Sequence, residues 1–134
     1  MMKRMDSNKM KIRNCVLIEP FTCKKTDSVT HVAKKLRDIT LKHVFVVDEH
    51  DHPVGIISMT DINNRVVAEG LDPKMLKAEN IMSKPIDLFD LNDDIESSCK
   101  KMIGKKHVMG AVTDNGKMKG IITVHQLIKN LEKK

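Results

Sequence analysis

Residues 46–62 read VVDEHDHPVGIISMTDI, and they decide the fold because residues 111–127, which read AVTDNGKMKGIITVHQL, repeat their pattern without a gap. The register extends upstream with small slips, since Asn14 answers Asn80 and Val29 answers Ile95. Repeat periods of about 20–50 residues usually build open solenoids. Only two copies occur here, at a longer period. They predict instead a closed pair with pseudo-twofold symmetry, whose shared interface can hold a ligand.

The composition is typical of a soluble globular protein. Of the 134 residues, 40% are hydrophobic and 31% are charged, which suffices for a core and a solvated surface. No apolar run approaches the roughly 18 residues of a membrane helix, and the N-terminus lacks the apolar centre of a signal peptide. The three cysteines are odd in number and widely spaced, which indicates neither a disulfide framework nor a zinc site. We therefore expect a cytoplasmic protein with reduced thiols and no membrane contact.

The net charge of +6 raises the question of nucleic-acid binding, because Lys and Arg favour polyanions. The chain has no Trp or Tyr and only three Phe, which argues against a protein that stacks single-stranded bases on aromatic rings. Its basic residues are scattered rather than clustered in a stripe. We interpret them as a solvated surface. A basic nucleic-acid accessory protein stays a lesser alternative, with no recognition helix to support it.

Local signals predict the same order of elements in both repeats. In the first, Ser28 caps a helix with apolar residues at helical spacing, and two apolar strands at residues 44–47 and 54–57 form a hairpin. In the second, Asn115-Gly116 predicts a tight hairpin turn, because these residues tolerate positive φ. A short extended segment precedes each repeat, at residues 21–23 and 86–88.

These elements predict an α/β (α+β) fold of two β-α-β-β-α repeats packed as a pseudo-twofold pair. The predicted boundaries are a basic N-terminal segment at residues 1–10, a first repeat at 11–70, a linker at 71–79 and a second repeat at 80–134. The hairpin strands are nearly all apolar, so both faces of each sheet need cover. A lone repeat leaves that cover incomplete, which gives a physical reason for the pairing.

The turn after each Gly-Ile-Ile is the place where chemistry is expected. Ser58 to Asp61 and Thr123 to Gln126 both fit a capping box, in which a hydroxyl and a side chain satisfy helix amides. The same geometry also suits a ligand, because hydroxyls at a helix N-terminus can hold phosphate and a carboxylate can accept bonds from two ribose hydroxyls. Capping alone predicts two equivalent turns. Ribose binding predicts a strong site at Asp61 and a weak or altered site at Gln126.

Taken together, the repeated β-α-β-β-α order, the Gly-Ile-Ile-[Ser/Thr]-x-x-Asp motif and the Asn80-Ile81-Met82-Ser83 segment resemble a tandem pair of CBS domains, named from cystathionine β-synthase. The resemblance extends from about Lys11 to Leu131. It implies two clefts between the repeats that bind AMP, ADP, ATP or S-adenosylmethionine. It also implies a homodimer and a regulatory, non-catalytic role.

Carried over residue by residue, the resemblance gives each repeat a set of ligand-binding positions. Asp61 matches the ribose-binding Asp, and Gln126 replaces it in the second repeat. Asp87 adds a negative charge that repels phosphate or favours a cationic ligand such as S-adenosylmethionine, whereas His125 can donate to phosphate. The first set is Thr22, Val44, Phe45, Ser58, Thr60 and Asp61. The second is Asp87, Val108, Met109, Thr123, His125 and Gln126.

Other chemistry-bearing residues have simpler interpretations. His50 and His52, with three neighbouring acids, lie in a predicted hairpin turn where solvation is usual, so we predict no metal site there. The sequence offers no nucleophile–base pair and no phosphate-binding loop, so we predict no enzyme activity. With no effector domain in the sequence, a regulatory output has to reach a partner protein in trans. The alternative to ligand binding is an oligomerisation scaffold in which both turns serve only as helix caps.

Overall fold

The computed structural model describes residues 10–40 and 42–132. The predicted basic segment at residues 1–10 lies outside the described residues except for Met10. The chain divides into two compact units. Residues 20–86 form one, here named the Asp61 unit, and residues 10–19 with 87–132 form the other, the Gln126 unit.

The Asp61 unit has the predicted β-α-β-β-α order. Strand β1 runs parallel to β2, and β2 pairs antiparallel with β3. The second helix, α2, is short and continues as a π-helical turn, Asn63–Val67. The elements are β1 (Thr22–Lys24), α1 (Val29–Arg37), β2 (His43–Val47), β3 (Pro53–Ser58), α2 (Met59–Ile62) and, after the repeat, α3 (Ala78–Ile81).

The Gln126 unit repeats this order with its own three-stranded sheet. Strand β4 is parallel to β5, and β5 is antiparallel to β6. The leading strand begins at Leu88, two residues after the start of the predicted segment at residues 86–88, although the Asp87 carbonyl still accepts the Ala111 N–H of β5 at 2.9 Å. The elements are a 3-10 turn (Ile12–Asn14), β4 (Leu88–Asp90), α4 (Ile95–Gly104), β5 (Met109–Asp114), β6 (Lys117–Thr123) and α5 (Val124–Glu132).

Short-range interactions begin and connect these elements, and the ones at Ser28 and at Asn115-Gly116 are those that the sequence predicts. The Ser28 side chain accepts a hydrogen bond from the His31 N–H at the start of α1, and Asp94 does the same for Ser97 at the start of α4. The Asn115-Gly116 turn has φ angles of 54° and 84°, the left-handed region that these residues enter at little cost. The hairpin register is therefore set locally.

Each unit has its own hydrophobic core. Helix α1 contributes residues that pack with β2 and β3 in one core, and α4 and α5 pack with β5 and β6 in the other. Fully buried members of the first are Val29, Val32, Leu36, Val44 and Ile57, and of the second Ile12, Ile95, Met102, Ile122 and Leu127. Among the described residues, no helix has the length and apolarity needed to cross a membrane.

The compact units differ from the sequence repeats at the N-terminal side, because residues 10–19 belong to the unit that contains the second repeat. Residues 11–19 begin the predicted first repeat, yet Ile18 forms reciprocal backbone hydrogen bonds of 2.9 Å with Ile121 on β6. In the Asp61 unit, Ile56 on β3 pairs in the same way with Ser83. Each sheet is thus paired with the chain segment that leads into the first strand of the other unit. The predicted repeat boundaries stay a prediction.

Candidate functional site

The Ser58–Asp61 turn is a capping box, as the first interpretation of the sequence predicts. Strand β3 ends at Ser58, whose hydroxyl accepts the Asp61 N–H at 3.1 Å. In return, Oδ2 of Asp61 accepts the Ser58 N–H at 2.9 Å. Two helix-terminal amides are satisfied reciprocally. The cap holds the Asp61 carboxylate in one orientation, with 15% of the side chain exposed.

Asp61 also has partners that the local pattern does not reveal. Its Oδ1 accepts the Ser83 hydroxyl at 3.2 Å and lies 3.8 Å from Nη2 of Arg65. Arg65 in turn donates through Nη1 to the carbonyls of Ile81 and Met82, at 2.7 and 3.1 Å. The carboxylate therefore sits within a network that joins α2 to residues 81–83. Sequence reasoning missed Arg65, although its i+4 spacing from Asp61 is a known signal for helical ion pairs.

The Thr123–Gln126 turn is capped in the same way but has a different outer partner. The Thr123 hydroxyl accepts the Gln126 N–H at 3.2 Å, and Oε1 of Gln126 accepts the Thr123 N–H at 3.0 Å. The amide Nε2 of Gln126 donates to the carbonyl of Val16 at 2.8 Å. Both polar atoms of Gln126 are thus engaged within its own unit. The two turns are equivalent as helix caps, but the outer partners of Asp61 and of Gln126 differ.

The sheet of the Asp61 unit brings the remaining residues of the first set near the cap. Thr22 pairs with Phe45 in register across β1 and β2, and His43 pairs with Ser58 across β2 and β3. Val44 and Phe45 are fully buried, and Val44 belongs to the core of the unit. Their side chains therefore serve packing, and Phe45 N–H already donates to the Phe21 carbonyl at 3.1 Å. Thr60 is exposed on the first turn of α2.

Asp87 has side-chain partners within the Gln126 unit that the local sequence pattern does not indicate. Its side chain is 1% exposed, Oδ2 lies 2.6 Å from Nδ1 of His107, and Oδ1 lies 3.3 Å from the Lys105 ammonium. These partners engage both carboxylate oxygens within the unit. The effect of Asp87 on phosphate or on a cationic ligand stays a prediction. No local pattern indicates this pairing, because His107 lies 20 positions from Asp87.

The other residues of the second set lie around the same end of the sheet. Met109 and Thr123 pair directly across β5 and β6. Val108 is 58% exposed, and its carbonyl accepts the Val124 N–H at 2.9 Å. His125 is exposed on the first turn of α5. The sheet thus gathers these residues, while Gln126 turns its polar atoms toward Thr123 and Val16.

Two further features of the described residues lie apart from the predicted site. A groove of about 360 Å³ beside α2 is lined by Ala33, Arg37, Lys42, Met59, Ile62, Asn63 and Val67, and contains none of the predicted site residues. In the hairpin turn, Asp48 accepts the N–H groups of His50 and His52. These hydrogen bonds hold the pKa of the Asp48 carboxyl below its usual range. No group of three potential metal ligands occurs within residues 10–40 and 42–132.

The comparison with known protein families decides the classification. The CBS domain family matches twice, at residues 12–68 and 78–133. The chain belongs to the CBS domain family. A 31% identical relative is an uncharacterized protein of Methanopyrus kandleri, matched over 78% of this CBS pair. The CBS pair spans about half of that relative, 54% of its length.

Solved structures share the fold of this CBS pair at low sequence identity. A CBS domain protein of Bacillus anthracis has a TM-score of 0.79 at 20% identity, with 97% of this chain and 99% of that chain covered. A CBS domain protein of Pyrobaculum aerophilum, solved in complex with AMP, has a TM-score of 0.75 at 20% identity and coverages of 93% and 100%. A hexameric CBS-CP12 protein from bloom-forming cyanobacteria has a TM-score of 0.73 at 22% identity and coverages of 94% and 75%. These likenesses confirm the predicted fold class.

Proposed function

We propose that this CBS pair is a cytoplasmic, non-catalytic regulatory module that binds an adenine nucleotide (AMP, ADP or ATP) or S-adenosylmethionine at a site that includes Asp61. The ligand acts by favouring one arrangement of a homodimer, and the output passes to a partner protein in trans. Family membership and the AMP complex of the Pyrobaculum aerophilum protein support the ligand class. The acidic residue at position 61 supports the first repeat as the binding site.

The observation that carries the proposal is the state of the Asp61 carboxylate. Each carboxylate oxygen accepts one hydrogen bond within the unit, Oδ2 from the Ser58 N–H and Oδ1 from the Ser83 hydroxyl. An ionised carboxylate has about four lone-pair sites, so Oδ2 has capacity for one ribose hydroxyl beside the Ser58 N–H. A second ribose hydroxyl reaches Oδ1 in competition with the Ser83 hydroxyl, because Nη2 of Arg65 also lies 3.8 Å from that oxygen. Gln126 has no such charge, and its Nε2 is engaged by Val16. We therefore assign the stronger site to Asp61 and the weaker one to Gln126.

The same hydrogen bonds favour a second candidate, an oligomerisation scaffold without a ligand. In that case Asp61, Ser58, Thr123 and Gln126 serve only as caps, because each already has an intramolecular partner. The two candidates differ in one measurable property. A ligand that binds the folded state raises the thermal midpoint further as its concentration rises, roughly with the logarithm of that concentration, whereas a scaffold shows no such dependence.

Titration calorimetry with AMP, ATP and S-adenosylmethionine tests the proposal on the wild-type protein and on Asp61→Asn. Asparagine keeps an oxygen for the Ser58 N–H and removes the charge, so the helix cap is retained. We expect the substitution to weaken binding by at least about tenfold, since a hydrogen bond to a charged group contributes about 1.5–3 kcal/mol.

Asp38→Asn is the matched control, because Asp38 is an exposed carboxylate of the same unit that pairs with Arg37. It should leave the affinity unchanged. Two results contradict the proposal: no ligand binds more tightly than about 1 mM (−4 kcal/mol), or Asp61→Asn binds as the wild-type protein does. Sedimentation velocity with and without the tightest ligand then tests the homodimer.

A further inference from the structure

After β3 and after β6, a side chain donates hydrogen bonds to backbone carbonyls of the segment that pairs with that strand. In the Asp61 unit, the guanidinium of Arg65 holds the carbonyls of Ile81 and Met82. In the Gln126 unit, Nε2 of Gln126 holds the carbonyl of Val16. The cap and the adjacent segment are thus joined in both units, by an ionic side chain in one and by a neutral amide in the other.

The carbonyls held in the two units occupy equivalent places. Counted from the two capping asparagines, Asn14 and Asn80, Val16 corresponds to Met82. Counted from the bridged residues Ile18 and Ser83, it corresponds to Ile81. Arg65 bonds both of these carbonyls, so the correspondence holds by either count. Arg65 and Gln126 therefore satisfy the same backbone position.

The difference between the units is an exchange of two residues. In the repeat alignment, Gln126 stands where Asp61 stands, and Asn130 stands where Arg65 stands. A carboxylate cannot donate to a backbone carbonyl, so Asp61 needs Arg65 to reach the segment. Gln126 needs no second residue for this bond, because its own Nε2 donates to the Val16 carbonyl. Asn130 donates instead to the carbonyl of Gln126 at 2.8 Å, within the same helix.

We propose that Asp61, Arg65 and Ser83 form a ligand-responsive clasp on residues 81–83, whereas Gln126 fixes its segment permanently. The inference rests on the proposed function, namely on ribose hydroxyls binding the Asp61 carboxylate. A ribose hydroxyl that approaches Oδ1 competes with the Ser83 hydroxyl for that oxygen. The ligand therefore releases Ser83 from Asp61, while Arg65 retains the carbonyls of Ile81 and Met82.

The covalent chain connects the clasp on residues 81–83 to the Gln126 unit. Residues 81–83 lead within a few residues to Asp87, the first residue of the second stretch of the Gln126 unit. Asp87 is buried and fixed there by His107 and Lys105. A change in the hold on Ser83 thus acts on a short segment whose far end is anchored. Regulation in this CBS pair is assigned to one unit and to this segment.

Hydrogen exchange measured by NMR tests the ligand response. The Ser83 N–H donates to the Ile56 carbonyl at 2.8 Å, so its exchange reports how firmly the segment is held. Saturating AMP should speed exchange at Ser83 by about tenfold, the equivalent of one lost hydrogen bond. Ser83→Ala should show the faster rate without AMP and no further change with it. The Ile121 N–H, which pairs with Ile18, should not respond.

The outcomes separate this inference from the proposed function. AMP that binds in calorimetry and leaves Ser83 exchange unchanged overturns the clasp and leaves the proposed function standing. Absence of binding by AMP overturns the proposed site for this ligand and the ligand response together. Ser83→Ala that binds AMP and still shows the full AMP-dependent change also overturns the clasp.

Substituting Gln126 and Asn130 by the residues found at the equivalent positions of the Asp61 unit is an independent test that needs no ligand. Gln126→Asp places a carboxylate near the Val16 carbonyl and should lower the thermal midpoint. Adding Asn130→Arg should recover at least half of that loss, while Asn130→Arg alone should not raise the midpoint. If Gln126→Asp does not fold, folding of the double variant is the recovery. No recovery in the double variant overturns the assignment of Arg65.

Discussion

Replacing Asp87 by asparagine tests whether this carboxylate serves the fold of the Gln126 unit or a ligand. The side chain is 1% exposed and lies between His107 and Lys105 at 2.6 and 3.3 Å. Asparagine has nearly the same shape, so the substitution removes the charge with little change in packing. We expect the free energy of unfolding to fall while the fold is kept.

The size of the loss follows from the exposure of the partners. Hydrogen bonds to charged groups contribute about 1.5–3 kcal/mol, whereas exposed ion pairs contribute about 0–1 kcal/mol. The His107 and Lys105 side chains are 49% and 51% exposed, so both regain water when the carboxylate is lost. The buried carboxylate keeps the hydrogen bond to His107 in the stronger class. We therefore expect a loss of about 2 kcal/mol in total.

Urea unfolding followed by circular dichroism measures this loss, with Glu96→Gln as the matched control. Glu96 pairs with Lys100 at 3.6 Å on the exposed face of α4, so its substitution should cost under about 0.5 kcal/mol. The dependence on urea should keep its slope in both variants. Asp87→Asn that loses no more than Glu96→Gln would refute the structural role. A changed ligand affinity at unchanged stability would identify Asp87 as a binding residue.

Two further substitutions or treatments check local features. Gly116→Ala should lower the free energy of unfolding by about 1 kcal/mol, because φ is 84° there. The control Gly104→Ala should cause no such loss, because Gly104 lies in open space at the end of α4. Equal effects of the two substitutions in urea unfolding would contradict the turn geometry. Burial, reinforced by Asp27, raises the pKa of the Cys23 thiol to about 12. Because the folded pKa is the higher one, stability from the neutral thiol is present below the unfolded pKa and is lost as pH rises toward 12. Maleimide labelling at pH 8, mapped by mass spectrometry, should reach Cys23 only as urea unfolds the protein, and rapid native labelling would argue against its burial.

The sequence predicts those parts of the fold that depend on neighbours along the chain. The Ser28 cap acts over three residues, and the Asn115-Gly116 turn acts over two, so their signals are complete within a short stretch of sequence. The repeat adds a second copy of each signal. The β-α-β-β-α order is confirmed in both units for this reason.

The candidate site was harder to predict because its contacts join distant residues. Asp61 and Ser83 are 22 positions apart, and Gln126 and Val16 are 110 apart. The sequence shows that Asp61 and Gln126 differ in charge, but it does not indicate that they also differ in the backbone carbonyls held beside them. The backbone carbonyls that Arg65 and Gln126 hold come from segments whose placement depends on the whole fold.

The path of the chain through the two units has a consequence for how the protein is made and divided. Residues 20–86 are continuous, so the Asp61 unit is complete before residues 87–132 leave the ribosome. Ile12 is fully buried in the Gln126 unit, so it can be buried only after its core partners at residues 89–127 have been synthesised. A cut at residue 79 separates the repeats in sequence but splits a folded unit, whereas cuts at 19 and 86 release the Asp61 unit whole.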